Sequence, residues 1–259
     1  MGSRINKIGE ENINTFGSKM IIFAYRKNYD VDVYFPEYDW MVNNREYREF
    51  KNGKIKCPYE RKTYGIGYIG EGKYKTKENG KLTKCYNTWH DMLKRCYDEK
   101  LHKKRPTYKD CEVCEEWLCF QNFAEWYYNN YYEVEGERMC LDKDILVKHN
   151  KIYSKDTCIF VPERINTLFI KCDRSRGEYP IGVFCNKNNK YQAKCSIYDL
   201  KNNNIVRKSL GVYDTPEKAF EIYKEFKEKH IKEIADHYKD EIPQKLYNVM
   251  YNYEVEIND

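Results

Sequence analysis

Asp142, Lys143 and Asp144 stand side by side in the stretch CLDKDILVKHNKIYSKDTCIFVPERIN (residues 140–166), with His149 in the turn beyond them and Asn166 at its end. Carboxylates are hard oxygen donors suited to a divalent cation, and a histidine titrates close enough to neutrality to take a proton from water. Lys143 is a different case. An ammonium accepts no proton unless its pKa falls by several units, and the carboxylates of Asp142 and Asp144 push it the other way. Lys143 is therefore expected to bind phosphate, which leaves His149 either as a substitute base or as a solvated turn residue. An acidic residue closing one strand, a turn rich in Lys and Asn, the run TCIFV (157–161) and a helix opening at Pro162 make a compact frame for a metal and a base.

Thiols form the second set. Cys111 and Cys114 make a CxxC, a spacing that can place two thiolates on one zinc at ~2.3 Å, with Cys96, Cys140 or Cys158 as the residues to complete a site. The second half of a paired CxxC is absent, and thiols packed as small apolar groups beside Trp89 and Trp117 are the alternative. The third set is cationic. Between residues 179 and 213 stand Lys187, Lys190, Lys194, Lys201, Arg207 and Lys208 against Asp199 alone, a local +5 that equals the charge of the whole chain. Clustered cations neutralise phosphates and release counterions, while Gln192 and Arg207 have the groups to read base edges. A solvated lysine-rich surface is the competing reading.

The elements that must position these residues follow from periodicity. Residues 1–75 carry short alternating runs such as KMIIFAYRKNYDVDVYF and predict a small β-domain of four or five strands. The glycines of GIGYIGEGKY (65–74) neither follow a clear strand nor open a helix, which makes them a turn-rich linker rather than a nucleotide loop. NTWHDMLKRCY (87–97) places Trp89, Met92, Leu93, Cys96 and Tyr97 on one helical face, and CEEWLCFQNFAEWYYNNYY (114–132) does the same with Trp117, Phe120, Phe123, Ala124 and Tyr127. Between them EKLHKKRPTYK reads as a basic loop, either solvated or facing phosphate. KCDRSRGEYP (171–180) reads as a basic linker. Short strands are expected around 179–185, 190–199 and 206–213, then a helix from Thr215, with Pro216 at its first position, to about Tyr238.

The hairpin frame resembles the motif of HNH, or ββα-metal, nucleases, in which a strand supplies a metal-binding Asp beside a His that deprotonates water and the following helix supplies an Asn or His ligand. On that resemblance Asp142 takes the acidic ligand position, TCIFV the second strand and Asn166 the last ligand, with Lys143 where the histidine stands and Thr157 where a structural Asn braces the hairpin. It implies Mg²⁺ on Asp142 and Asn166, and Lys143 or His149 near the scissile phosphate, with Asp144 beside them. A longer run, 65–168, resembles bacteriophage-encoded proteins of HNH-like or homing-endonuclease-like type. It carries their order of GIGYIGEGKY, then Trp89, Met92, Arg95, Cys96 and Tyr97, then Cys114-Glu115-Glu116-Trp117, then Leu141-Asp142-Lys143-Asp144. In that family a basic residue commonly replaces the histidine.

The C-terminal part resembles the plant ethylene-response type of DNA-binding domain. The matching residues are Gly182-Val183, the run Lys190-Tyr191-Gln192-Ala193-Lys194, the turn Leu210-Gly211-Val212-Tyr213-Asp214-Thr215, and Glu217 and Ala219 at the helix start. The resemblance implies three antiparallel strands in a DNA major groove, backed by a helix that packs through Phe220, Tyr223, Phe226, Ile231 and Ile234.

Composition bounds the rest. In 259 residues, 34% charged and 41% hydrophobic with 26 Tyr, the chain has bulk for several small cores and is not simply disordered. Eleven cysteines, an odd number, without an export signal point to reduced thiols, and no run reaches the ~18 apolar residues of a membrane helix. Residence in the cytosol of a host bacterial cell is expected, without a membrane partner. The expectation is an α+β chain of three modules: 1–75 β-rich, 76–172 of HNH-like ββα type, and 173–259 of three strands plus a helix with a C-terminal tail. Its expected function is binding of double-stranded DNA in a phage or mobile-element setting, with Mg²⁺-dependent cleavage as the enzymatic version and Zn²⁺ as a possible second metal. A non-catalytic DNA- or protein-binding factor, such as a regulator or an inhibitor of a host defence system, is the alternative.

Overall fold

The computed structural model describes residues 6–169, 178–200, 202 and 204–257, and the fold is α+β with several small sheets. The chain divides into two compact units, one of 1–129 with 152–154 and one of 130–151 with 155–259. The three-module reading cuts elsewhere: it groups the hairpin with the helices before it, whereas the contacts group the hairpin with the C-terminal sheet. Lys201 and most of the basic linker, 171–177, lie outside the described residues.

The first unit opens with strands β1 (Glu11–Ile13), β2 (Lys19–Lys27), β3 (Asp30–Phe35) and β4 (Trp40–Arg45), an antiparallel meander in chain order. β3, DVDVYF, alternates as a one-sided sheet demands, sending Val31, Val33 and Phe35 into a core with Met20, Ile22 and Phe50 of helix α1 (Tyr47–Lys51). After a small β5–β6 hairpin (Lys77–Glu78, Lys81–Leu82), α2 (Lys84–Tyr97) buries Trp89, Met92, Leu93 and Cys96, and the Trp89 indole donates to the Trp117 carbonyl at 2.8 Å. The expected basic loop is partly helical. Asp98 accepts the N–H groups of Lys100 and Leu101 and so starts α3 (Glu99–Lys104). The single expected helix from 114 is two, α4 (Glu115–Leu118) and α5 (Phe120–Asn130), because Cys119 is extended and bridges to Tyr68 of the glycine-rich segment. β7 (Glu112–Val113) pairs in parallel with β9 (Ile152–Tyr153).

In the second unit β8 (Met139–Asp142) pairs antiparallel with β10 (Ile159–Pro162), Asp142 opposite Ile159, and α6 (Glu163–Leu168) follows at once. The three-stranded sheet runs β11 (Val183–Cys185), β12 (Tyr191–Asp199), β13 (Asn204–Tyr213), all antiparallel. Helix α7 (Pro216–His237) starts where capping chemistry places it, with the Thr215 hydroxyl accepting from Lys218 N–H and Pro216 in the first turn. Its apolar stripe serves two cores. Ala219, Phe220 and Tyr223 pack on Val183, Ala193, Cys195 and Ile197 of the sheet. Ile231, Ile234, Ala235 and Tyr238, just past its end, pack with Ile159, Val161, Ile165 and Leu168 of the hairpin and α6, and with Leu246 and Met250 of α8 (Gln244–Tyr251). Among the described residues no helix is long and apolar enough to cross a membrane.

Candidate nucleic-acid interface

Burial along β12 divides the sheet into two faces. Ala193, Cys195 and Ile197 are buried under α7, so Gln192, Lys194 and Ser196 stand on the other side, while the half-buried Tyr198 ring packs against the core of the hairpin, α6 and the C-terminal half of α7. Register then assigns the neighbours: Phe184 and Val212 flank Gln192, Ser209 faces Lys194, Arg207 faces Ser196 and Ile205 faces Tyr198. A bulge between Ala193 and Lys194 shifts the pairing by one residue of β13, so that Gly211 pairs with Ala193 and Ser209 with Lys194. Gly211 has φ 127°, and a Cβ there would meet the Tyr213 hydroxyl at 2.6 Å. At the sheet's entry Gly182, φ 78°, lies so close to α7 that a Cβ would sit 2.1 Å from the Tyr223 ring.

The outer face is cationic around one aromatic ring. The Phe184 ring has the Arg207 guanidinium 4.9 Å and the Lys194 ammonium 5.6 Å from its centre. The Gln192 amide donates to Ser209 Oγ at 3.0 Å. Beyond the end of this face, beside the second core, the Arg164 guanidinium of α6 lies 4.8 Å from the Tyr198 ring centre and pairs through Nε with Glu137 at 2.8 Å. None of the outward positions named is acidic, in a chain with 41 acidic residues.

Of the residues singled out for DNA contact, Gln192, Lys194 and Arg207 share this face, and Lys187 is exposed in the turn before β12. Lys190 precedes β12, with its ammonium paired to Asp214. Two residues belong elsewhere. Tyr191 has the parity of Ala193, sits against the core and meets the Tyr179 ring edge-on at 5.4 Å. Lys208 lies opposite Cys195 on the helix side, with its ammonium 5.7 Å from the Phe226 ring centre. Adjacent strand residues point to opposite faces, so Arg207 and Lys208 cannot both face outward. The sequence reading missed Phe184, Ser209, Ile205 and Val212 on this face. Alternation from the apolar set Ala193, Cys195 and Ile197 would have found Phe184 through its pairing, but the bulge hides the parity change between Ser209 and Val212.

In the hairpin, Asp142 ends β8 as expected. Its Oδ1 accepts the N–H groups of Asp144 (2.9 Å) and Ile145 (2.7 Å), the local ring an aspartate forms at a turn. Burial, and then the Asp144 charge, push its carboxyl up to about 6, against the opposing pull of those two N–H donors and of Lys143. The Lys143 side chain is only 8% exposed and its ammonium pairs with Asp144 at 3.1 Å, while its carbonyl accepts from Asn150 at 2.6 Å. A nearly enclosed ammonium has little access to a duplex. His149 is exposed in the turn with φ 62°. Asn166 is half-buried on α6, and among the described residues no hydrogen bond joins it to Asp142.

For metals, Mg²⁺ characteristically takes one or two carboxylates and completes its shell with water and substrate phosphate, so the hard oxygens of Asp142, Asp144 and Asn166 are of the right class. Zinc has less to use. Among the described residues no three His, Cys, Asp or Glu side chains come together as a metal site. Cys111 is buried with its Sγ 3.8 Å from the Thr107 carbonyl, Cys114 precedes α4, and Cys96 is buried on α2. Cys158, also buried, belongs to the second unit. No family model, no curated protein and no solved structure matches the chain.

Proposed function

We propose that this chain is a double-stranded DNA-binding protein of phage or mobile-element type, in which the outer face of the β11–β13 sheet enters the major groove. One observation carries the reading: the outward positions of β12 and β13 hold Lys194 and Arg207 among neutral side chains without a carboxylate, opposite the face packed on α7. A three-stranded sheet offers a backbone narrow enough for the groove, and its cations release counterions from the phosphates. The hairpin and α6 serve the sheet as a support: Arg164 lies over Tyr198 of β12 where that ring packs on the second core, and Asp142 and Lys143 are engaged in holding their own turn.

The test is fluorescence anisotropy of a labelled duplex with the full chain. Lys194→Ala with Arg207→Ala weakens binding about tenfold or more at moderate salt, whereas Lys208→Ala, on the helix side, has a much smaller effect. Equal loss in both variants, or none, overturns the assignment to this face.

Mg²⁺-dependent cleavage is the second reading, favoured by Asp142, a carboxylate at the end of β8 beside Asp144 whose hard oxygens suit that cation. Asp142 and Asn166 would hold the cation, which when bound would neutralise a phosphate and lower the pKa of its water. The chain's own candidate bases are poorly placed, Lys143 being paired with Asp144 and His149 lying in the exposed turn. Nicking of supercoiled plasmid that requires Mg²⁺ and disappears in Asp142→Ala supports cleavage; intact plasmid across divalent metals leaves DNA binding without chemistry.

A further inference from the structure

We infer that the row Phe184, Gln192, Val212 across the outer face reads an A·T base pair through its major-groove edge, an inference that rests on the proposed binding of duplex DNA by this sheet. The three residues are direct register partners, Phe184 opposite Gln192 and Gln192 opposite Val212. With strands ~4.8 Å apart the row spans roughly 10 Å, close to the ~12 Å width of the groove. Its centre is an amide tied to the neighbouring strand. Gln192 Nε2 donates to Ser209 Oγ at 3.0 Å, and its Oε1 and second N–H make no other hydrogen bond among the described residues.

An amide so held offers one donor and one acceptor side by side. That pair matches adenine, which presents N7 as acceptor and N6–H as donor on its groove edge. It mismatches guanine, whose N7 and O6 are both acceptors, so that Oε1 would face an oxygen. Val212 supplies the second half of the recognition. It is 52% exposed on a strand whose helix side is covered, and an aliphatic group beside the amide fits the C5 methyl of thymine. A cytosine has no methyl at that place. Phe184, held under Lys194 and Arg207, closes the row on the other side and lets the two cations reach the flanking phosphates.

The experiment measures affinity of the full chain for labelled duplexes of one length at one salt concentration: one rich in A·T pairs, one of G·C pairs, and the first with every dT replaced by dU. The expected result is about tenfold tighter binding to the A·T duplex than to the G·C duplex, with a severalfold loss on changing dT to dU. Removing that methyl alters only the major-groove edge, so the loss also separates this reading from a preference for narrow minor grooves. Val212→Ser removes the difference between dT and dU while keeping the salt dependence, and Gln192→Ala removes the preference for A·T over G·C. Equal affinity for the A·T and G·C duplexes, or indifference to the thymine methyl, overturns the inference and leaves the proposed function standing. Absence of duplex binding overturns both.

Discussion

Burial and the neighbouring Asp144 hold the Asp142 carboxyl at about 6, above the 3.8 of an unperturbed aspartate, so the folded chain keeps this proton more tightly than the unfolded one. The resulting stabilisation is fully present below 3.8 and is lost as pH rises through 6. Asp142→Asn keeps an Oδ1 acceptor for the N–H groups of Asp144 and Ile145 but has nothing to ionise. The variant is expected to be more stable than the wild type by about 1–2 kcal/mol at pH 7.5, with the gap closing near pH 4, as read by denaturant unfolding. A less stable variant at pH 7.5 would contradict this account of the turn. Asp142 was legible in sequence as the residue that closes the first strand. The state of Lys143 was only half legible: flanking carboxylates favoured its charged form, but its pairing with Asp144 and the burial of the side chain depend on packing that no local pattern shows. Lys208 falls on the helix side, opposite Cys195, a placement set by the strand's period of two that a count of charges ignores.

Helix α7 was readable almost to its ends, since Thr215, Pro216 and an apolar stripe at helical spacing all agree. One residue on it was silent in sequence. His230 is 5% exposed, and its Nε2 accepts the Tyr198 N–H at 3.2 Å, tying α7 to β12. Burial, with Lys227 and Lys208 nearby, lowers its pKa below 6.5, with Glu233 acting the other way. The folded state thus sheds a proton that the unfolded state binds. The stability His230 contributes is present above 6.5 and declines as pH falls below it, because the protonated ring loses its acceptor. His230→Leu should cost about 1–2 kcal/mol at pH 7.5, and the gap to wild type should shrink at pH 5. A gap independent of pH would mean that the ring acts through packing alone. Elsewhere the sequence pattern failed where tertiary pairing intervened. Cys119 interrupts a continuous helical stripe because Tyr68 bridges to it, and the bulge in β13 resets which residues face outward.

The second unit places hairpin, α6 and the three-stranded sheet on one helix, α7, whose two halves serve two cores. Composition and alternation made the α+β class and the short sheets legible, whereas grouping the hairpin with the C-terminal sheet required contacts distant in sequence, such as Val161 and Ile165 with Ile231 and Ile234. Because Arg164 of α6, paired with Glu137, packs over Tyr198 of β12, loosening that joint by Arg164→Ala should weaken duplex binding severalfold although Arg164 itself touches no phosphate, and unchanged affinity would argue against the support role. The binding reading itself is decided by the dependence of duplex affinity on salt, compared between the wild type and the variant with Lys194→Ala and Arg207→Ala. If both cations neutralise phosphates, the slope of log affinity against log salt becomes shallower by about 1.8 in the variant, ~0.9 for each contact. An unchanged slope, with both proteins folded and binding, would show that the DNA lies on some other surface.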